Sequence, residues 1–390
     1  MTSNASYVLF SDLGGAVKRI AMQFAPFLFQ DADRRAVYAS LLGEFGCTTH
    51  VSVLIDATQA DLFDDWVSGL ALKCTVVPVP VPGDELGKIR VWIRDSFLCA
   101  MEGSTRRYLR PSSSKDEDGS QAQWLGQFDG TTVEPVNVHL DGGDCLVGLG
   151  IWFVGAQAVW HTADMEGQTC TYPEALARIG AIQGQLPFVV GYKVANIRNK
   201  FQWLLSELRY KAREAAAERS EVRPLSGLFP GLVITLTILR QVLFFLMNQD
   251  ELTQTWAHVD LIFCPTGRKK GDKHTILVAQ AQDGNEADGQ NDRLNAVADH
   301  LTSQGFDVQR NPTFFVVSDE YILGYNNVIM QTNPDIVWLP QFGGKYAVED
   351  ERNVEIWEGL GYEVRKIPGC LAFAKSQGAI RCLTNVVERY

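Results

Sequence analysis

Helix-patterned and strand-patterned segments alternate down the chain, and the alternation restarts several times. Arg34 to Phe45 carries apolar residues at helical spacing, Val51 to Ile55 reads as a strand, Ala60 to Leu70 as a helix and Cys74 to Val79 as a strand. After Trp256 the pattern returns. Ala257 to Phe263 and His274 to Val278 read as a hairpin, and Asn291 to Leu301 as a helix. Thr313 to Val317, Asn327 to Met330 and Ile336 to Leu339 read as strands, residues 351–359 as a helix and Tyr362 to Ile367 as a strand, and Cys382 opens the last strand. A strand–helix–strand unit thus recurs roughly four or five times without an identical sequence period, which predicts an α/β ring or barrel of modules, with a doubly wound sheet as the competing architecture. With 390 residues, 46% of them apolar, the chain can bury the large core that such a body needs.

Three stretches depart from this rhythm. Val77 to Asp84 holds three prolines and reads as a stiff extended connector, and Pro111 to Gly119 as an exposed polar loop. Asn196 to Arg219 has Phe201, Leu204, Leu205 and Leu208 on one face of a long amphipathic helix. The apolar run Gly231 to Met247 is short for a membrane span and carries Arg240 near its middle, so it reads as a buried segment. Residues 165–250 together are expected to form an insertion within a single domain spanning 1–390.

A formal net charge of -11 with no concentrated basic stretch argues against nucleic-acid binding and is compatible with a cationic ligand. Eight cysteines without a close CxxC pair fit neither a zinc framework nor a disulfide scaffold. Residues Met1 to Phe10 lack the pattern of a secretion leader, so a reduced, cytoplasmic protein is expected. No Walker loop, HExxH or GxSxG occurs.

Four fragments carry chemistry. In Trp92-Ile-Arg-Asp95 a carboxylate ends a largely apolar strand, and in Asp141-Gly-Gly-Asp144 two acids flank glycines that let a backbone approach a ligand. His258-Val-Asp260 sets an imidazole and a carboxylate on one face of a strand. Cys382 follows Arg381, whose guanidinium would lower the thiol pKa if it entered the same pocket. Each has a plainer reading: Asp95 as a turn residue, Cys382 as a small buried hydrophobe, His139 and His161 as structural or exposed. His258, Asp260, Asp141 and Asp144 could also hold a metal, though the set has a single imidazole.

Taken in order, Arg94-Asp95, Asp141-Gly-Gly-Asp144, His258-Val-Asp260 and Arg381-Cys382 resemble the guanidine-modifying (pentein) superfamily. That superfamily includes arginine and agmatine deiminases, dimethylargininases, amidinotransferases and protein-arginine deiminases. Tyr325-Asn-Asn-Val-Ile-Met330 with Ile336 to Gly343 resembles a strand pair of agmatine deiminases, and Cys382-Leu-Thr-Asn-Val386 is closer to protein-arginine deiminases. The resemblance covers residues 88–160 and 255–390. It implies an α/β propeller of five ββαβ-like modules around a central channel, with no metal and no cofactor. It also implies Cys382 as nucleophile, His258 as general acid/base, Asp141 as its orienting group, and Asp95 and Asp260 as the grip on a guanidinium. Arg94, Arg381 and Asp144 complete the substrate-binding set, Asp144 with least weight. The implied partner is a small cationic guanidine, with peptidyl-arginine and self-association left open. An amidinotransferase and a non-catalytic binding protein of the same fold are the alternatives.

Overall fold

The computed structural model describes residues 7–82, 90–112, 120–165, 170–193, 251–254, 258–282, 284–316 and 321–390. The chain begins with β1 (Val8–Leu9), β2 (Val17–Phe24), α1 (Ala32–Glu44), β3 (His50–Asp56), α2 (Ala60–Ser68) and β4 (Thr75–Val81). Then come β5 (Leu98–Glu102), β6 (Thr105–Ser112), α3 (Ser120–Asp129) and β7 (Thr132–His139). Next are β8 (Cys145–Val147), β9 (Trp152–Gly155), α4 (Ala156–Ala163), α5 (Tyr172–Gly180) and β10 (Phe188–Val190). They are followed by β11 (Phe263–Lys270), β12 (Lys273–Ala281), α6 (Gly284–Ser303), β13 (Asp307–Thr313), β14 (Phe315–Val316) and β15 (Tyr321–Ile322). The chain closes with β16 (Ile329–Gln331), β17 (Ile336–Pro340), α7 (Ala347–Gly359), β18 (Glu363–Ile367), α8 (Leu371–Ala374) and β19 (Thr384–Arg389).

The strand pairings resolve these elements into five units of one design. Each has an antiparallel pair, a helix, and a strand returning parallel to the second strand of the pair: β5–β6–α3–β7, β8–β9–α4–α5–β10, β11–β12–α6–β13 and β16–β17–α7–β18. The fifth unit is built from both ends of the chain. β19 pairs antiparallel with β2, and β2 and β3 pair in parallel across α1. Of the stretch 165–250 expected to be an insertion, residues 170–193 supply α5 and β10, which belongs to the sheet of β8 and β9. The expected helix Asn196 to Arg219 and the apolar run Gly231 to Met247 lie outside the described residues.

Local chemistry accounts for the elements. Asp31 caps α1 by accepting from Arg34 N at 3.0 Å, and Val37, Tyr38, Leu41 and Leu42 form its buried face. β3 lies between parallel neighbours and is buried from Val51 to Asp56, so its apolar residues run on instead of alternating. Phe24 at the end of β2 packs edge-on against Phe29, Tyr38 and Phe63, and such buried aromatics contribute about 1.5–3 kcal/mol each. Pro78, in the expected strand, and Pro80, expected only in the connector, both lie within β4. β4 is an edge strand, and a spacing of two sends both missing donors to one side. Among the described residues no helix is long and apolar enough to cross a membrane.

Candidate active site

A short turn leads into the first strand of every unit, and the five turns are tied to one another. Ile93–Asp95 precedes β5, Gly142–Asp144 precedes β8 and Val259–Leu261 precedes β11, each a single 3-10 turn. Asn327, whose N–H donates to Gly324 O at 3.0 Å, precedes β16, and a turn in which Leu383 N donates to Ala379 O at 3.3 Å precedes β19. Arg94 N donates to Cys382 O at 3.3 Å, Gly143 N to Asp95 Oδ1 at 3.2 Å and Val259 N to Asp144 Oδ1 at 3.0 Å. Arg381 Nη1 donates to Asp260 Oδ2 at 2.7 Å and Arg381 N to Asn327 Oδ1 at 2.9 Å, so all five turns are joined by direct bonds.

This geometry corrects the expectation that Asp95 ends a strand, that His258-Val-Asp260 is one, and that Cys382 opens one. Three-residue 3-10 turns that contain Ile93, Val259 and Leu261 imitate the alternation of a strand, while their tighter winding aims polar groups inward. Cys382 lies two residues ahead of β19.

The expected residues do converge. His258 Nε2 is 3.3 Å from Asp141 Oδ2 and its Nδ1 is 3.7 Å from Asp95 Oδ1. Cys382 Sγ is 3.8 Å from Asp260 Oδ2. All are buried except the half-buried His258, and Asp260 has no exposed surface. Its Oδ2 is held by Arg381, while Oδ1 accepts no hydrogen bond from the described residues. A buried carboxylate oxygen without a donor costs several kcal/mol, and a cationic ligand would remove that cost.

Burial works to lower the pKa of His258, but Asp95, Asp141, Cys382 and Asp144 around it raise the value well above that of an ordinary imidazole. Burial, then Asp260, push the Cys382 thiol up, against the pull of His258. Asp144 is pushed up to about 7 by burial, against the pull of His258 and of its bond from Gln254.

Both glycines of the Asp141 turn have a steric reason to be there, and it is not the close approach of a ligand. A Cβ at Gly142 would strike the Arg94 carbonyl, and one at Gly143 would strike the His258 ring. Three residues expected to bind substrate are engaged with the protein. Arg94 donates to Gly142 O at 3.1 Å, Cys145 O at 3.1 Å and Asn385 Oδ1 at 3.2 Å, and pairs with Asp12 at 3.2 Å. Besides Asp260, Arg381 donates to Asp12 Oδ1 at 3.1 Å and Cys145 O at 2.9 Å, so its charge serves carboxylates and not the thiol. Asp144 accepts from Val259 N and from Gln254 Nε2, the latter at 2.9 Å, and fixes the histidine turn. His139 and His161 stack edge-to-face at 4.5 Å as a separate pair. Among the described residues no group of three or more His, Cys, Asp and Glu is placed to hold a metal ion.

Two residues of the site were not foreseen. Asp12 accepts from Val147 N at 2.8 Å and pairs with both buried arginines. Burial works to raise its pKa, but Arg381 and Arg94 outweigh it and hold the carboxyl below its ordinary range. Asn327 Nδ2 donates to Cys382 Sγ at 3.1 Å. Asp12 carries no sequence signal, since its partners lie far along the chain. Asn327 could have been found as the counterpart, ahead of β16, of the acids ahead of β5, β8 and β11.

Comparison of the whole structure with solved ones places the fold. Agmatine deiminase from C. jejuni matches over 97% of this chain and 94% of its own, with a TM-score of 0.59 at 12% sequence identity. The fold is that of the deiminases. A cysteine-to-serine form of the same enzyme with substrate bound matches with TM-score 0.59 over 97% of this chain and 95% of its own, at 12% identity. A candidate peptidyl-arginine deiminase matches with TM-score 0.61 over 97% and 98%, at 11% identity. No protein-family model matches the chain, and no curated protein sequence does. The deiminase fold therefore comes with little shared sequence.

Proposed function

We propose that this protein is a cysteine hydrolase acting on the guanidinium carbon of a small arginine-like cation, and that its five units surround a common channel holding the site. The observation that carries this reading is the convergence of one sulfur, one imidazole and the carboxylates of Asp95, Asp141 and Asp260, with Asp260 Oδ1 lacking a donor. A guanidinium carbon is a poor electrophile, so it must be held against the nucleophile, and paired carboxylates do this through its planar N–H groups. A cation arriving beside Asp260 offsets the charge that, after burial, most opposes ionisation of Cys382.

In the proposed reaction Cys382 loses its proton to solvent beside the bound cation and attacks the guanidinium carbon as the thiolate, and His258, held protonated by its carboxylates, donates a proton to the ammonia or amine that departs as the C–N bond breaks. A thiouronium remains on the sulfur. Neutral His258 then takes a proton from water, the hydroxide adds to the same carbon, and the C–S bond breaks while the new hydroxyl gives its proton to the released ammonia or amine, leaving a ureido product and the thiolate. Asp141 keeps the ring oriented throughout. The deep burial of Cys382 and Asp95 favours a small guanidine over a folded protein substrate.

The test is a panel of arginine, agmatine, methylated arginines and an arginyl peptide, scored for ammonia and ureido product. Cys382→Ala is expected to abolish turnover, and intact-protein mass spectrometry during turnover to show an adduct on Cys382. Wild-type turnover in Cys382→Ala refutes the mechanism. Turnover that requires an added amine moves the assignment to amidino transfer.

A further inference from the structure

We propose that Asn327 is a further catalytic residue, a neutral donor that aims the Cys382 sulfur and holds it in its anionic form. This rests on Cys382 being the nucleophile of the proposed reaction. Asn327 has no exposed surface. Its Oδ1 accepts from Arg381 N at 2.9 Å and from Cys382 N at 3.2 Å. Backbone N–H groups only donate, so the amide oxygen has to face them, and Nδ2 is thereby turned toward Sγ at 3.1 Å. The side chain thus fixes both the backbone that carries the sulfur and the sulfur itself.

The residue type follows from the charges around Cys382. Asp260 and Asp95 oppose ionisation, His258 favours it, and Arg381 is bound to Asp260 and Asp12. The turns ahead of β5, β8 and β11 carry Asp95, Asp144 and Asp260, whereas the turn ahead of β16 carries an amide. A carboxylate at 327 would accept the same two backbone bonds, yet present a further negative charge to the sulfur. The amide keeps the clamp and offers a proton instead, and hydrogen bonds to an ionised partner are the strong ones.

The test follows iodoacetamide alkylation of Cys382 against pH, resolved from the other cysteines by peptide mass spectrometry. The midpoint is expected to rise by about one to two pH units in Asn327→Ala, which is roughly a ten- to hundredfold fall in thiolate at a fixed lower pH, and by more in Asn327→Asp. The Asp variant is isosteric and keeps the backbone clamp. Unchanged midpoints in both, with wild-type circular dichroism, overturn the proposal. Should the variants misfold, wild-type protein labelled with 15N-asparagine decides: the Asn327 side-chain amide resonance must move with the Cys382 midpoint and stop moving in Cys382→Ala. A resonance indifferent to that midpoint overturns the proposal. Both readouts run without substrate. A protein that turns over no guanidine but shows the shifts refutes the hydrolase reading and keeps the role of Asn327 at the thiolate. An active enzyme whose midpoint ignores Asn327 does the reverse.

Discussion

Gly143→Ala adds one methyl group at the point where two turns touch. A Cβ there would lie 2.6 Å from His258 Cγ and 2.8 Å from His258 Cβ, where unstrained carbon contacts are about 3.5–4.0 Å. The imidazole must therefore retreat by about 1 Å. His258 Nε2 is 3.3 Å from Asp141 Oδ2, already at the long end of hydrogen-bond range, so a retreat of that size breaks the bond. Overpacking of this kind costs about 1–3 kcal/mol of stability. A catalytic group displaced by 1 Å costs on the order of 100-fold in rate, so activity should fall much further than stability alone would carry it. Gly46→Ala is the matched control, because a Cβ at Gly46 meets nothing within 4 Å. The measurement is kcat/KM on the best guanidine of the panel, with a thermal melt of each variant. Gly143→Ala turning over like Gly46→Ala would show that the ring has room to spare and that the tight turn is not what sets its position.

Two further perturbations read the buried charges. The pKa of Asp144 is raised to about 7 in the fold from an ordinary 3.8 by burial, so its contribution to stability is full below about pH 4 and is lost as pH rises through 7. Asp144→Asn keeps an acceptor for Val259 N and removes the charge, so its stability relative to wild type should climb between pH 4 and 7, by at most about 4 kcal/mol, and level off above; a flat difference in urea titrations across that window refutes the assignment. Asp12→Ala leaves the buried Arg94 and Arg381 without their shared, half-buried counter-ion and should cost about 3–5 kcal/mol in urea unfolding; a loss below about 1 kcal/mol would mean that other acceptors suffice.

The alternation was legible because each unit needs a helix face and a strand of ordinary length, as at Arg34 to Phe45 and Val51 to Ile55. The turns between units were not, since three residues are too few for a period, and Val259 and Leu261 continue the apolar rhythm of β11. The converging residues Asp95, Asp141, His258, Asp260 and Cys382 were legible as residue types in order. Direction was not. A guanidinium beside a cysteine in sequence reads as help for the thiol, and only the position of Asp260 and Asp12 shows where Arg381 points. Asn327 and Asp12 act on partners 55 and 369 residues away, separations across which local pattern carries no information.

The pairing of β19 with β2 brings a strand that follows all others in chain order back to one that precedes nearly all of them. During synthesis β2 leaves the ribosome some 360 residues before its partner, and until then a largely apolar strand presents an open edge that invites pairing with another chain. Closing so long a loop is entropically costly and slow, so the docking of β19 is expected late in folding. Cys382 and Arg381 travel with that strand. The thiol therefore cannot meet His258 and Asp260 until β19 has been made, and the docking of that strand both covers the exposed edge and brings Cys382 to them.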